Sequence, residues 1–122
     1  MFLRVYVQPR EEFDRWVREQ RQSAYASTEP TATSNGQRVF ESTACVNCHT
    51  VSGTAANGRF GPDLTHLMSR DTIAAGAAAN TPENLRLWIR NPDAIKPGSM
   101  MPAMGLSDQD VNAVTAFLET LR

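Results

Sequence analysis

The chain has 122 residues, 41% of them hydrophobic and 20% charged, and a formal net charge of −1. This is one domain's length with an ordinary soluble balance, and no charge excess that would draw it to nucleic acid or to an anionic membrane. No apolar run is long enough for a membrane-crossing helix, so no direct membrane insertion by this chain is expected. Arg4 interrupts the N-terminus too early for a signal peptide, so any targeting segment is expected to lie outside the sequence.

Three regions follow in chain order. In residues 1–24, "FLRVYV" alternates, with Leu3, Val5 and Val7 on one face, and reads as a strand. After Pro9, "REEFDRWVREQRQ" sets Phe13, Trp16 and Val17 at helical spacing among charges, which predicts an amphipathic helix. Residues 25–34 are rich in Ser, Thr, Ala and Pro without periodicity and read as a linker. Residues 35–122 read as a compact, mostly α domain. Its first helix, "NGQRVFESTAC", is expected to start with Ser34 or Asn35 as N-cap.

A second helix is predicted in "TPENLRLWIRNP", with Thr81 as N-cap, Pro82 in the first helical position, Glu83 in the first turn and Pro92 as the stop. The last helix has Ser107 as cap, Asp110 at the capping-box position and Leu106 placed to staple onto Val111. Its stripe of Val111, Val114, Phe117, Leu118 and Leu121 must face an interior. Residues 50–80 and 91–105 are rich in Gly and Pro and carry little secondary-structure signal. Loops of that length need an organiser, and a buried prosthetic group would be one.

The two cysteines of the chain stand in "CVNCH", Cys45 to His49. Cys-x-x-Cys-His is the spacing that attaches c-type haem: two thiols on one helical turn reach the two vinyl groups, and the adjoining His49 supplies a neutral imidazole nitrogen to the iron. Zinc wants four ligands, and His66 is the one other candidate. A redox dithiol belongs at a helix N-terminus in a βαβ setting, whereas these cysteines follow a helix and precede loops. A disulfide spanning two residues constrains little chain. Haem leads these readings. For the sixth iron position "KPGSMMPAMG" offers Met100, Met101 and Met104, and a thioether ligand favours ferrous iron. Neighbours in an extended segment point opposite ways, so Met100 and Met101 cannot both face the iron. Met101, before Pro102, is the expected ligand, with Met100 next and His66 a minor alternative.

The segments "NGQRVFESTACVNCHTV", "GPDLTHLMSR", "LWIRNP" and "KPGSMMPAMGLSDQDVNAVTAFLETL" together resemble a class I cytochrome c over residues 35–122. The resemblance implies three to five helices around one covalent haem c. Gly36 and Phe40 would cross Val114 and Phe117. The Pro62 carbonyl would take the second N–H of His49, and Trp88 and Arg70 would reach haem propionates. "RDTIAAGAAANTPENLRLWIRNP" and "FLRVYVQPREEFDRWVREQ" are similar to the cytochrome c-fused subunit II of bacterial caa-type haem–copper oxidases. There, a membrane-anchored cupredoxin domain with a binuclear copper centre precedes the cytochrome. Residues 1–24 would then be the tail of the cupredoxin, with Met1 at the place of a copper-ligating methionine. The other copper ligands are absent, so this chain alone is not expected to bind that centre.

The expected function is electron transfer from an external redox-protein donor to the copper domain of the same subunit, alongside the other oxidase subunits. The expected place is the periplasmic or outer face of the bacterial cytoplasmic membrane. The competing expectation is a freestanding diffusible cytochrome c.

Overall fold

A polar cap followed by an apolar stripe makes the last helix, against which the first helix of the domain packs. The computed structural model describes residues 5–23 and 32–122. Among them are helices α1 (Arg10–Gln20), α2 (Ala32–Ser42), α3 (Cys45–Cys48), α4 (Pro82–Arg90), α5 (Pro92–Ile95) and α6 (Asp108–Leu118). A 3₁₀ turn spans Leu67–Ser69, and β1 (Thr72–Ile73) pairs antiparallel with β2 (Ala78–Ala79).

At the start of α6 the Ser107 hydroxyl accepts the Asp110 N–H at 3.1 Å and donates to the Asp110 carboxylate at 2.7 Å. One of the helix's orphan donors is thereby satisfied, as the sequence predicts. Leu106 packs against the core, and all five stripe residues of α6 and its C-terminal continuation, from Val111 to Leu121, are buried. α2 crosses α6 at close range. A Cβ added to Gly36 would stand 1.9 Å from the Ala113 carbonyl oxygen, so only glycine lets the backbones meet. One turn further on, Phe40 tilts onto Phe117, with ring centroids 5.7 Å apart. α4 begins as expected, with the Thr81 hydroxyl accepting the Asn84 N–H at 3.3 Å, and buries Leu85 and Ile89 against the same core. Pro92 closes α4 and opens α5.

Three expectations are corrected. Residues 5–9 form no strand: among the described residues no other strand pairs with them, and a lone strand has no ladder to satisfy its backbone. Residues 2–4 of that expected strand, and Met1, lie outside the described residues, as does most of the linker read at 25–34. The first helix of the domain starts at Ala32, so Ser34 and Asn35 stand inside it. The Asn35 side chain, free of capping, accepts a hydrogen bond from Arg38 at 2.5 Å, and the good helix former Ala32 extends the helix backwards. The long segment 50–80 contains the β1–β2 hairpin. Its alanine-rich sequence lacks the β-branched alternation that announces a strand. Backbone geometry closes it: Gly76 N–H donates to the Ile73 carbonyl at 3.0 Å over Ala74 and Ala75, both at positive φ (55° and 59°).

α1 forms where the sequence places it, directly after Pro9, but none of its residues is buried. Phe13 and Trp16 lean on each other at 5.8 Å between ring centroids and remain half exposed. Among the described residues, side-chain bonds from Tyr6 to Asp71 at 2.9 Å and from Ser52 to Ser23 at 3.4 Å tie this N-terminal segment to the domain.

Candidate haem-attachment site

α3 is a single turn that carries both cysteines, and the His49 N–H closes it on the Cys45 carbonyl at 2.9 Å. His49 itself is extended, so the chain turns away at the imidazole. It then folds back: Thr50 bridges Asn57, the Gly58 N–H donates to the His49 carbonyl at 3.0 Å, and the Gly61 N–H donates to the Cys48 carbonyl at 2.6 Å. This return brings Gly61 and Pro62 onto the imidazole ring. A Cβ on Gly61 would lie 2.6 Å from His49 Cε1, so the ring fills the space that any larger residue would take.

His49 Nδ1 stands 2.8 Å from the Pro62 carbonyl oxygen. A carbonyl only accepts, so Nδ1 carries the proton, and in the neutral ring Nε2 is left with its lone pair. The resemblance placed Pro62 in this contact, and the geometry has it there. Both cysteines are free and half-buried. Burial pushes the Cys45 thiol up from its ordinary value, with its own backbone bond opposing and the neighbouring Cys48 adding to the rise. A raised thiol is a poor attacking thiolate, which weighs against a redox dithiol. Among the described residues no group of three His, Cys, Asp or Glu side chains is placed to hold a metal ion, which leaves a tetrahedral zinc site short of ligands. Two unpaired thiols on one turn, an imidazole locked with Nε2 free and a cradle with no room for a Cβ fit a covalently attached haem.

The other sequence-predicted residues are distributed around this cluster. Arg70 is exposed, and its guanidinium donates to the carbonyl of Asp63, the residue after Pro62. Trp88 is half-buried on α4 and packs against the core. Met101 and Met104 are half-buried in the loop before α6, whereas Met100 is 79% exposed. His66 is half-buried with an inward Nε2 that has no partner among the described residues.

Sequence reasoning missed the braces of the 62–70 loop. Asp63 Oδ1 accepts from the N–H and the hydroxyl of buried Thr65, at 2.8 and 2.5 Å, and Thr65 Oγ1 accepts the Ser52 N–H at 2.9 Å. The Asp-x-Thr spacing was the available signal, because short polar side chains of this kind bond the backbone two residues on. Asn80 was missed as well. Its side-chain amide donates to the carbonyls of Leu67 at 2.8 Å and Arg70 at 2.9 Å.

Comparison with known proteins agrees with this geometry. The cytochrome c family profile matches residues 33–122, and the chain belongs to that family. Electron transfer is therefore the activity of this domain. Over its whole length the chain is 37% identical to cytochrome c oxidase subunit 2 of Alkalihalophilus pseudofirmus and 32% identical to that of Bacillus subtilis, in each case spanning 35% of the relative. It thus covers about a third of the length of these relatives. A nitric oxide reductase subunit of Paracoccus denitrificans is 31% identical over 68% of the chain and 54% of that protein. The c-type cytochrome SorU of Sinorhizobium meliloti superposes with a TM-score of 0.53 at 24% identity, covering 76% of the chain and 93% of SorU, and shares its fold.

Proposed function

We propose that this chain is the electron-entry domain of a haem–copper oxygen reductase, fused to the copper-binding part of its subunit II. One observation carries the reading. The oxidase relatives align with 100% of the chain, including the residues before 33 that the cytochrome c family match leaves out. The nitric oxide reductase relatives align with 68 to 75% of it and speak for the cytochrome alone. A freestanding carrier has no use for α1, whose half-exposed Phe13 and Trp16 suit the copper domain of a longer subunit.

In this reading Cys45 and Cys48 would hold the haem through thioethers, and His49 through Nε2 and Met101 through its thioether would hold the iron. The exposure of Met100 supports Met101 over its neighbour. Haem so held supplies one-electron chemistry between ferric and ferrous iron. The chain's own residues keep that exchange easy. Pro62 fixes the tautomer and orientation of His49 and strengthens its donor nitrogen, Gly61 bars ring rotation, and the apolar core excludes water. Arg70 spends one N–H on Asp63 and has others for a propionate, with Trp88 as a second propionate contact. An external redox protein delivers the electron and the copper centre of the same subunit accepts it, at an effective concentration set by the tether. The site of action is the outer face of the bacterial cytoplasmic membrane.

Haem loading in a c-type maturation host tests the site. Covalent haem and a ferric methionine-to-iron charge-transfer band are expected, the band lost in Met101→Ala and kept in Met100→Ala. The reverse pattern would move the ligand to Met100, and rapid cyanide binding by the unaltered protein would overturn methionine ligation of the iron. The coding sequence upstream tests the parent: a domain with paired copper cysteines supports an oxidase subunit, and a signal peptide alone supports the diffusible carrier.

A further inference from the structure

The hydrogen bond that orients His49 is anchored from a distance. Pro62 is followed by Asp63, whose carbonyl accepts the Arg70 guanidinium, and the Arg70 carbonyl in turn accepts the Asn80 amide. Asn80 holds the 67–71 stretch at three points, since its backbone N–H also donates to Asp71 at 2.9 Å and its side chain to Leu67 at 2.8 Å. Two carbonyl acceptors settle which end of the side-chain amide is nitrogen. Its Oδ1 is thereby turned into a buried place where it has no partner among the described residues. An unmet buried acceptor destabilises a fold. An apolar residue of the same size would avoid that cost, so retention of the amide calls for something its nitrogen does.

We propose that Asn80 is a positioning residue for His49. Through Arg70 and Asp63 it holds the Pro62 carbonyl against Nδ1–H, and so sets the donor strength of Nε2 toward the iron. The inference rests on the haem reading. Without the amide the 67–70 turn loses two of its ties, the Arg70–Asp63 contact slackens, and the Pro62 carbonyl withdraws. A weaker bond at Nδ1 makes the ring less electron-rich, which disfavours ferric iron and raises the reduction potential.

The test uses the haem-loaded protein with Asn80→Leu, which removes both the amide donor and the orphaned acceptor, and Asn80→Ser as a milder second variant. Hydrogen exchange of the His49 Nδ1–H, followed by NMR, is expected to quicken roughly tenfold, the scale on which a ligand's outer partners act. The reduction potential is expected to rise with it, and unfolding stability is measured alongside. If ring exchange quickens only as much as global stability falls, or if exchange and potential stay at the unaltered protein's values, Asn80 is a packing residue and the proposal is wrong. Unaltered protein without covalent haem absorption would instead sink the haem reading, so the two failures are told apart.

Discussion

His49 shows how much of a site one ring can carry. Its Nδ1 is committed to Pro62 and its Cε1 edge to Gly61, so rotation is blocked and one nitrogen remains for a metal. Gly61→Ala would set a methyl group 2.6 Å from the ring carbon. The loop or the imidazole must give way, at about 1–3 kcal/mol of overpacking strain. The expected outcome is a lower yield of covalently loaded protein and a displaced His49 Nδ1–H resonance, read by haem absorbance and NMR. Glu83 offers a second residue-scale prediction. Its carboxyl is held below the ordinary glutamate value by its own backbone N–H, then by the Thr81 hydroxyl. A lowered folded value means stability that is present above the ordinary glutamate range and lost as pH falls through the lowered value. Glu83→Gln should therefore unfold more easily than the unaltered protein at neutral pH, with the gap closing on acidification in denaturant titrations. The cysteines and His49 were legible in sequence because a five-residue spacing with its own chemistry announces them, whereas the Pro62 contact was implied only by the family resemblance. The braces at Asp63, Thr65 and Asn80 were not, since they bond backbone atoms that only the folded loop brings near.

Among the elements, those with caps and stripes were read correctly. α4 and α6 carry Thr81 and Ser107 at their starts and apolar residues at helical spacing, and both form where expected. α2 has the stripe without a decisive cap, so its beginning was misplaced while its packing face, Gly36 and Phe40 against α6, was not. The β1–β2 hairpin escaped notice because it is held by backbone bonds between strands of only two residues each, too short to show a periodicity. Its turn carries a correctable strain. Ala74 and Ala75 both sit at positive φ, where a Cβ meets the following carbonyl at about 1–2 kcal/mol per residue. Ala75→Gly removes that clash and loosens the unfolded chain by less, so a net gain of about 0.5–1 kcal/mol is expected. Thermal unfolding would register it as a rise in midpoint.

At the scale of the whole molecule the chain divides into a helical body and an N-terminal arm with an unburied aromatic face. The sequence revealed the arm's helix and its apolar residues, but alternation alone made residues 5–7 read as a strand, although among the described residues no partner strand pairs with them. Replacing Phe13 and Trp16 together by Ser should leave the unfolding midpoint of the cytochrome body almost unchanged, because neither side chain is part of its core. If the chain is fused to a copper domain as proposed, the same change in the fused protein should loosen the domain interface, seen as faster proteolysis before residue 33. A drop in the body's own midpoint would show that α1 belongs to its core.

The crossing of α2 on α6 also governs when this domain can close. Gly36 and Phe40 find their seat on Ala113 and Phe117, which lie far along the chain from them. Until they meet, α2 has nothing to fold onto, and the cysteine turn behind it stays open, because contacts between distant parts of a chain form last. In the proposed reading, an enzyme that joins Cys45 and Cys48 to a porphyrin would meet a slack chain, and the docking of α6 would then shut the domain over work already done.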